Sequence, residues 1–272
     1  MQKENSSTRA LAGLGVLVTR PAHQAEDLCR LIEAEGGRPI RYPLIEIQPP
    51  QDLSRITPIF DRLQEFQIAI FISTNAVQHG MRLVRDRGLS LNPLAVVAVG
   101  HSTAASLKEL GVADPIVPYE ASSEGILALK LFQPENITGR RVLIFRGEGG
   151  RELLAERLCE RGAEVEYAEV YRRVKPPADR DTLMAYWGDR GEEIQIVLIT
   201  SAEGLNNLLQ MMGEAHRDKE LLATPLLVMS ERIAALAQGL GFNPVVAKDT
   251  SDRGLVEALK AWWVGENTTP TL

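Results

Sequence analysis

Apolar residues along this chain follow two alternating rhythms. Short continuous runs such as "VLV" (16–18), "IAIF" (68–71), "VVAV" (96–99), "VLIF" (142–145), "IVLI" (196–199) and "LLV" (226–228) each lead into a turn rich in Ser, Thr, Asn, Arg or Gly. After each turn, apolar positions recur at helical spacing, as in "AEDLCRLIEAEG" and "AVQHGMRLV". Unbroken apolar runs are what strands show when helices cover both faces of a parallel sheet. Strands alternating with helices predict βαβ units.

The rhythm is written twice. Arg20–Gly36 matches Arg146–Gly162, and Ile68–Val84 matches Ile194–Gln210, with Ser73-Thr74 set against Thr200-Ser201. Val96–Val112 matches Leu226–Phe242, and Tyr119–Lys130 matches Lys248–Lys260. The four offsets are 126, 127, 130 and 129 residues, in the same order along both halves. The reading is a tandem duplication giving an α/β fold of two similar, doubly wound parallel-sheet domains, each with about four βα units. Ligands in such sheets bind at the carboxyl ends of the strands. The stretches Gly36–Pro50 and Gly162–Pro177 are equivalent, extended, and end in Pro pairs. They are the natural connectors. The residues alone leave two divisions open: lobes of roughly 1–135 and 140–272, or lobes that exchange the first unit.

Composition narrows the classes. The chain has 272 residues, 44% hydrophobic and 24% charged, which suits two globular domains. A net charge of −6 without a Lys/Arg stripe argues against a nucleic-acid surface. No apolar run approaches a membrane span, and "MQKENSSTRA" has no signal-peptide core, so a cytoplasmic protein without membrane contact is expected. Cys29 and Cys159 read as buried reduced thiols. His23, His79, His101 and His216 are scattered without metal spacing, so no metal site is expected. Trp262 and Trp263 read as packing for the last helix, and "GENTTPTL" as a disordered tail.

Candidate chemistry lies in the turns. "FRGEGGRE" is neither GxxxxGK[ST] nor GxGxxG, and the matching turn "TRPAHQAE" has no glycine, so a nucleotide loop is disfavoured. A strand end, an Arg and a helix N-terminus still make a generic anion site, with Arg146 as a surface ion pair the simpler alternative. "STN", "GHST", "SSEG", "TSAEG", "SER" and "TSDRG" each read as a helix cap. Facing one cleft together, they offer many backbone N–H groups to a ligand with several carboxylates. Tyr171, in "AEVYRRV", is the one positioned proton donor, and its alternative role is connector packing. No GxSxG elbow and no cofactor fingerprint appears.

The order of eight blocks carries a resemblance. "VLVTRPAHQ" (16–24), "YPLIEI" (42–47), "FISTNAV" (71–77), "AVGHSTAASL" (98–107), "SSEGIL" (122–127), "VLIFRGEGGRELLAERLCERGAEVEYAEVYRR" (142–173), "ITSAEGL" (199–205) and "VMSERIAALAQGLGF" (228–242) resemble the uroporphyrinogen-III synthase family across about residues 14–260. The resemblance implies closure of the linear tetrapyrrole hydroxymethylbilane with inversion of its last ring and loss of water, without metal or organic cofactor. It implies two lobes joined by a two-stranded connector, 1–40 with 174–272 and 44–170, the connectors being 41–47 and 167–175. It implies Tyr171 as the catalytic group. The turns then supply Thr19, Arg20, Ser73, Asn75, Gly100, Ser122, Ser123, Arg146, Gly147, Thr200, Ser201, Ser230 and Arg232 as substrate-binding candidates. Glu231 and Asp252 sit awkwardly beside an anionic substrate, and Arg232 and Arg253 serve either to neutralise them or to bind carboxylates. A monomer receiving substrate from hydroxymethylbilane synthase is the expected working form. The competing reading is a two-lobed binding or sensor protein for a polycarboxylate, without catalysis.

Overall fold

The computed structural model describes residues 9–177, 194–213 and 219–268, with Asp181 and Leu183. Along the chain come β1 (Gly15–Val18), α1 (Ala22–Ala34), β2 (Arg38–Arg41), β3 (Glu46–Gln48), α2 (Thr57–Asp61), β4 (Ile68–Phe71), α3 (Thr74–Asp86) and β5 (Ala95–Ala98). Next are α4 (His101–Glu109), α5 (Ser123–Ala128), α6 (Pro134–Ile137), β6 (Arg141–Gly147), α7 (Leu153–Glu160) and β7 (Glu164–Val174). The last stretch holds β8 (Ile196–Ile199), α8 (Ala202–Met212), α9 (Lys219–Ala223), β9 (Leu226–Val228), α10 (Glu231–Gly239), β10 (Pro244–Val246) and α11 (Asp252–Thr268).

The chain divides into two compact units, one of Met1–Glu46 with Val174–Leu272 and one of Ile47–Arg173. The chain passes from one to the other within β3 and near the end of β7, which are neighbours in one sheet. The first unit's sheet has the order β10-β9-β8-β1-β2, and the second's β3-β7-β6-β4-β5. Reversed, the second list matches the first: β5, β4, β6 and β7 take the places of β9, β8, β1 and β2. A single bridge, Val97 to Ile116, stands where β10 stands in the first unit. The β1–β2, β1–β8, β8–β9, β9–β10, β4–β5, β4–β6 and β6–β7 ladders are all parallel. The duplication also survives in the backbone: Gly36 and Gly162, 126 positions apart, end α1 and α7 with φ of 85° and 87°. Only glycine takes that conformation without strain.

β1, β4 and β8 are buried at every position. Alternate residues enter opposite cores. In the second unit, Ala69, Phe71, Leu143 and Phe145 pack under α2, α3 and α4, whereas Ile68, Ile70, Val142 and Ile144 pack under α5 and α7. Phe145 stacks on Phe71 at 4.3 Å and meets Phe60 edge-on at 6.1 Å. In the first unit, Leu17, Val197 and Ile199 face one core and Val16, Val18, Ile196 and Leu198 the other.

Three expectations need correction. Cys29 is buried, but Cys159 is exposed. Helix positions 154, 155 and 158 face the core, which leaves 159 on the outer side. The tail is helical through Thr268, because α11 runs beyond the Trp pair; only 269–272 lie outside the described residues. The β4/β8 match is 128 residues rather than 127, so Ser73 corresponds to Ser201, not Thr200. Trp262 and Trp263 do pack against the first unit's core, as the sequence suggests.

Candidate active site

Because its ladders are parallel, the second unit gathers the starts of α3, α4 and α7 at the carboxyl edge of its sheet. Ser73 caps α3, its Oγ accepting from Ala76 N at 3.1 Å. Ser122 caps α5 through Gly125 N at 2.9 Å, with Ser123 half-buried in the first turn. Gly100 caps α4 without a side chain. It is buried, and a Cβ there would stand 2.9 Å from that of Ala121. Asn75, half-buried, lies in the first turn of α3 and already has a partner.

Tyr171 reaches this edge because β7 slips register. Arg146 pairs with Glu169, but Gly147 pairs with Tyr171, so Val170 is an extra residue. Strict alternation would put Tyr171 on the face of Tyr167 and Glu169. The bulge instead turns it to the α3 face, where Val170 and Tyr171 are consecutive members of one core. Tyr171 is 3% exposed, and its hydroxyl lies 3.2 Å from Ser73 Oγ. The His79 ring flanks it at 5.8 Å. Its ring lies on Gly147, where a Cβ would fall 2.7 Å from Cε2 and Cζ. Gly147→Ala is therefore expected to cost about 1–3 kcal/mol through overpacking and to displace the hydroxyl. A thermal melt with a turnover assay checks this, and wild-type values in both would show that the ring simply yields.

Arg146 lies on the opposite face, in a buried ion pair rather than a surface one. Its guanidinium is 7% exposed, binds Glu152 and Glu169 at 3.0 Å each, and covers the Tyr167 ring at 3.6 Å. The Tyr167 hydroxyl donates to Glu152 at 2.6 Å. That bond, then Arg146, holds the Glu152 carboxyl below its usual range. Burial, then the bond to Glu152, pushes the Tyr167 phenol up. Gly149 N also donates to Glu169, so this cluster fixes the Gly-rich turn from within. A cavity of about 510 Å³ beside it is lined by Asp52, Glu148 and Glu169 as well as Arg55, which suits a polyanion poorly. The sequence reading missed Glu152, Tyr167 and Glu169; the two-residue spacing of Tyr167 and Glu169 on a strand was the available signal.

The first unit's sheet edge carries its own set. Ser201, Ser230 and Ser251 cap α8, α10 and α11 through Gly204, Ile233 and Gly254 N. Thr200, one residue before the α8 cap, is half-buried. The Thr19 hydroxyl is 4% exposed and donates to the Leu198 carbonyl at 2.5 Å, tying β1 to β8. Arg20, not Arg253, pairs with Asp252. Arg232 and Arg253 are exposed. Of the arginines offered as carboxylate partners, Arg20 and Arg146 are thus already engaged.

Two sheets of one strand order, with capped helix N-termini at their carboxyl edges and a bulge-directed phenol in one, define a duplicated α/β protein. A family model described as "Uroporphyrinogen-III synthase HemD" matches residues 26–257. The uroporphyrinogen-III synthase of Escherichia coli K12 is 32% identical over 249 residues, covering 91% of this chain and 100% of that one. That of Salmonella typhimurium is 35% identical over 251 residues, with the same coverage. A crystal structure of a mutant uroporphyrinogen III synthase from the extremely thermophilic bacterium Thermus thermophilus shares the fold, with a TM-score of 0.61 at 18% identity over 93% of this chain and 99% of that one. The chain belongs to the uroporphyrinogen-III synthase family, cyclising enzymes of tetrapyrrole biosynthesis.

Proposed function

We propose that this chain closes hydroxymethylbilane to uroporphyrinogen III with Tyr171 as the acid. The observation that carries this reading is the bulge that turns the Tyr171 phenol out of the alternation of β7 and against the N-terminus of α3. The phenol proton passes to the substrate's terminal hydroxyl, which leaves as water and yields an azafulvene cation. The last pyrrole attacks through its substituted carbon. The spiro intermediate fragments and recloses with that ring inverted. The ring carbon then releases the proton that restores the phenol.

The substrate also cyclises unaided, without inversion, so the protein's main task is to hold the chain where the inverted attack wins. Its eight carboxylates suit capped helix ends, each worth about 0.3–1 kcal/mol to a nearby anion. Asn75, Gly100, Ser122 and Ser123 supply such a surface on one unit, while Ser73 and Gly147 stand behind it against Tyr171. Thr200, Ser201, Ser230 and the exposed Arg232 supply it on the other. Thr19, Arg20 and Arg146 support these edges from inside. We read the working form as a cytoplasmic monomer that takes its short-lived substrate directly from hydroxymethylbilane synthase.

Freshly made hydroxymethylbilane, incubated with the protein and oxidised, should give mainly isomer III on separation, with no metal or nucleotide added. Isomer I alone, at the spontaneous rate and with folded protein, would leave a polycarboxylate-binding protein as the surviving reading.

A further inference from the structure

We propose that Ser73 is a positioning residue for Tyr171, orienting the phenol and stabilising the charge it carries after proton transfer; this rests on Tyr171 being the acid. Three neighbours bear on how the Tyr171 ring and hydroxyl are oriented. Gly147 supports the ring, His79 flanks it, and Ser73 Oγ meets the hydroxyl at 3.2 Å. Ser73 Oγ also accepts the Ala76 N–H at 3.1 Å. One of its lone pairs is therefore committed to the helix, and the hydroxyl proton remains to be donated. Pointed at Tyr171, that proton fills an acceptor site on the phenol oxygen and turns the phenol's own proton outward, toward substrate. When the phenol gives up its proton, the phenolate accepts from Ser73, whose O–H is polarised by the first N–H groups of a 13-residue helix. The proton count is unchanged: one proton leaves Tyr171, and Ser73 keeps its own.

The cap and the positioning role are separable by substitution. Glycine caps helices within a few tenths of a kcal/mol of serine, so Ser73→Gly removes the hydroxyl with little effect on the helix. Ser73→Gly should melt a few degrees below wild type, the lost bond to Tyr171 being worth about 1 kcal/mol. Its kcat should fall roughly ten- to a hundredfold, the worth of one hydrogen bond to a charged group, with KM unchanged. Ser73→Thr, which keeps an Oγ–H, should recover most of that loss. In a Tyr171→Phe background, Ser73→Gly should add nothing, because there is no phenol left to position.

A wild-type kcat in Ser73→Gly overturns the inference. So does a raised KM with kcat intact, which would make Ser73 a direct substrate contact instead. A slow Tyr171→Phe beside an unaffected Ser73→Gly defeats the Ser73 inference alone. An unaffected Tyr171→Phe defeats the acid reading and this inference with it.

Discussion

Tyr171→Phe should turn over hydroxymethylbilane more slowly by a factor on the order of 10²–10⁴, the usual worth of one general acid. Product affinity should stay near wild type, and the product formed above the spontaneous rate should still be isomer III. The structure explains why these effects separate. The substitution removes only the hydroxyl, so the ring keeps its seat on Gly147 and its place in the α3-side core. The lost bond to Ser73 is worth about 1 kcal/mol of folding stability. Inversion depends on how the chain is held, and the groups proposed to hold it on this unit are helix ends that the substitution leaves alone. Single-turnover assays with isomer separation, plus calorimetric product binding, make the test. Unchanged turnover removes Tyr171 from the mechanism, and isomer I formed above the spontaneous rate would give it a steric role instead.

The largest stability loss is expected at Phe145. Phe145→Ala should cost about 3–5 kcal/mol, the range for truncating a buried Phe. The residue is 0% exposed, stacks on Phe71, meets Phe60, and lies against Gly80, where a Cβ would fall 2.7 Å from its ring. No neighbour is placed to fill the space, since α3 already approaches through a glycine. Domain stabilities run about 5–15 kcal/mol, so this one cavity threatens the fold of Ile47–Arg173. Denaturant unfolding of wild type, Phe145→Leu and Phe145→Ala measures it. A loss below about 1 kcal/mol in the Ala variant, well under the usual range for such a truncation, would show that the aromatic stack is not what anchors β6.

Much of this architecture was legible in the chain. Strands buried on both faces write themselves as continuous apolar runs, so β1, β4, β6 and β8 could be found and paired across the duplication. The capping serines were legible for the same local reason, since a side-chain oxygen three residues ahead of an orphan N–H is a short-range signal. Thr200 was misaligned with Ser73 because Thr and Ser stand side by side there, and only the strand ends fix which one caps. Arg146 reads as an available cation because one of its two partners is distant in sequence: Glu169 stands 23 residues on, and a strand pairing brings it back. Cys159 looked buried because it falls in a helical stretch, as Cys29 does. The duplication itself tells them apart: at an offset of 126, Cys29 matches Ala155, which faces the core, not Cys159. The slip at Val170 leaves no local trace, because an extra residue in a strand reads like any other.

That slip bears on how two copies of one ancestral unit came to differ. β1 and β2 pair from Gly15–Arg38 to Val18–Arg41 without interruption. The corresponding β6–β7 pairs, Arg141–Glu164 to Ile144–Tyr167, are equally regular, and the extra residue lies where β7 runs on beyond them. A single inserted codon changes the phase of everything downstream in a strand while leaving the upstream ladder intact. It is thus among the smallest genetic steps that could deliver a new side chain to an existing rim of capped helix ends.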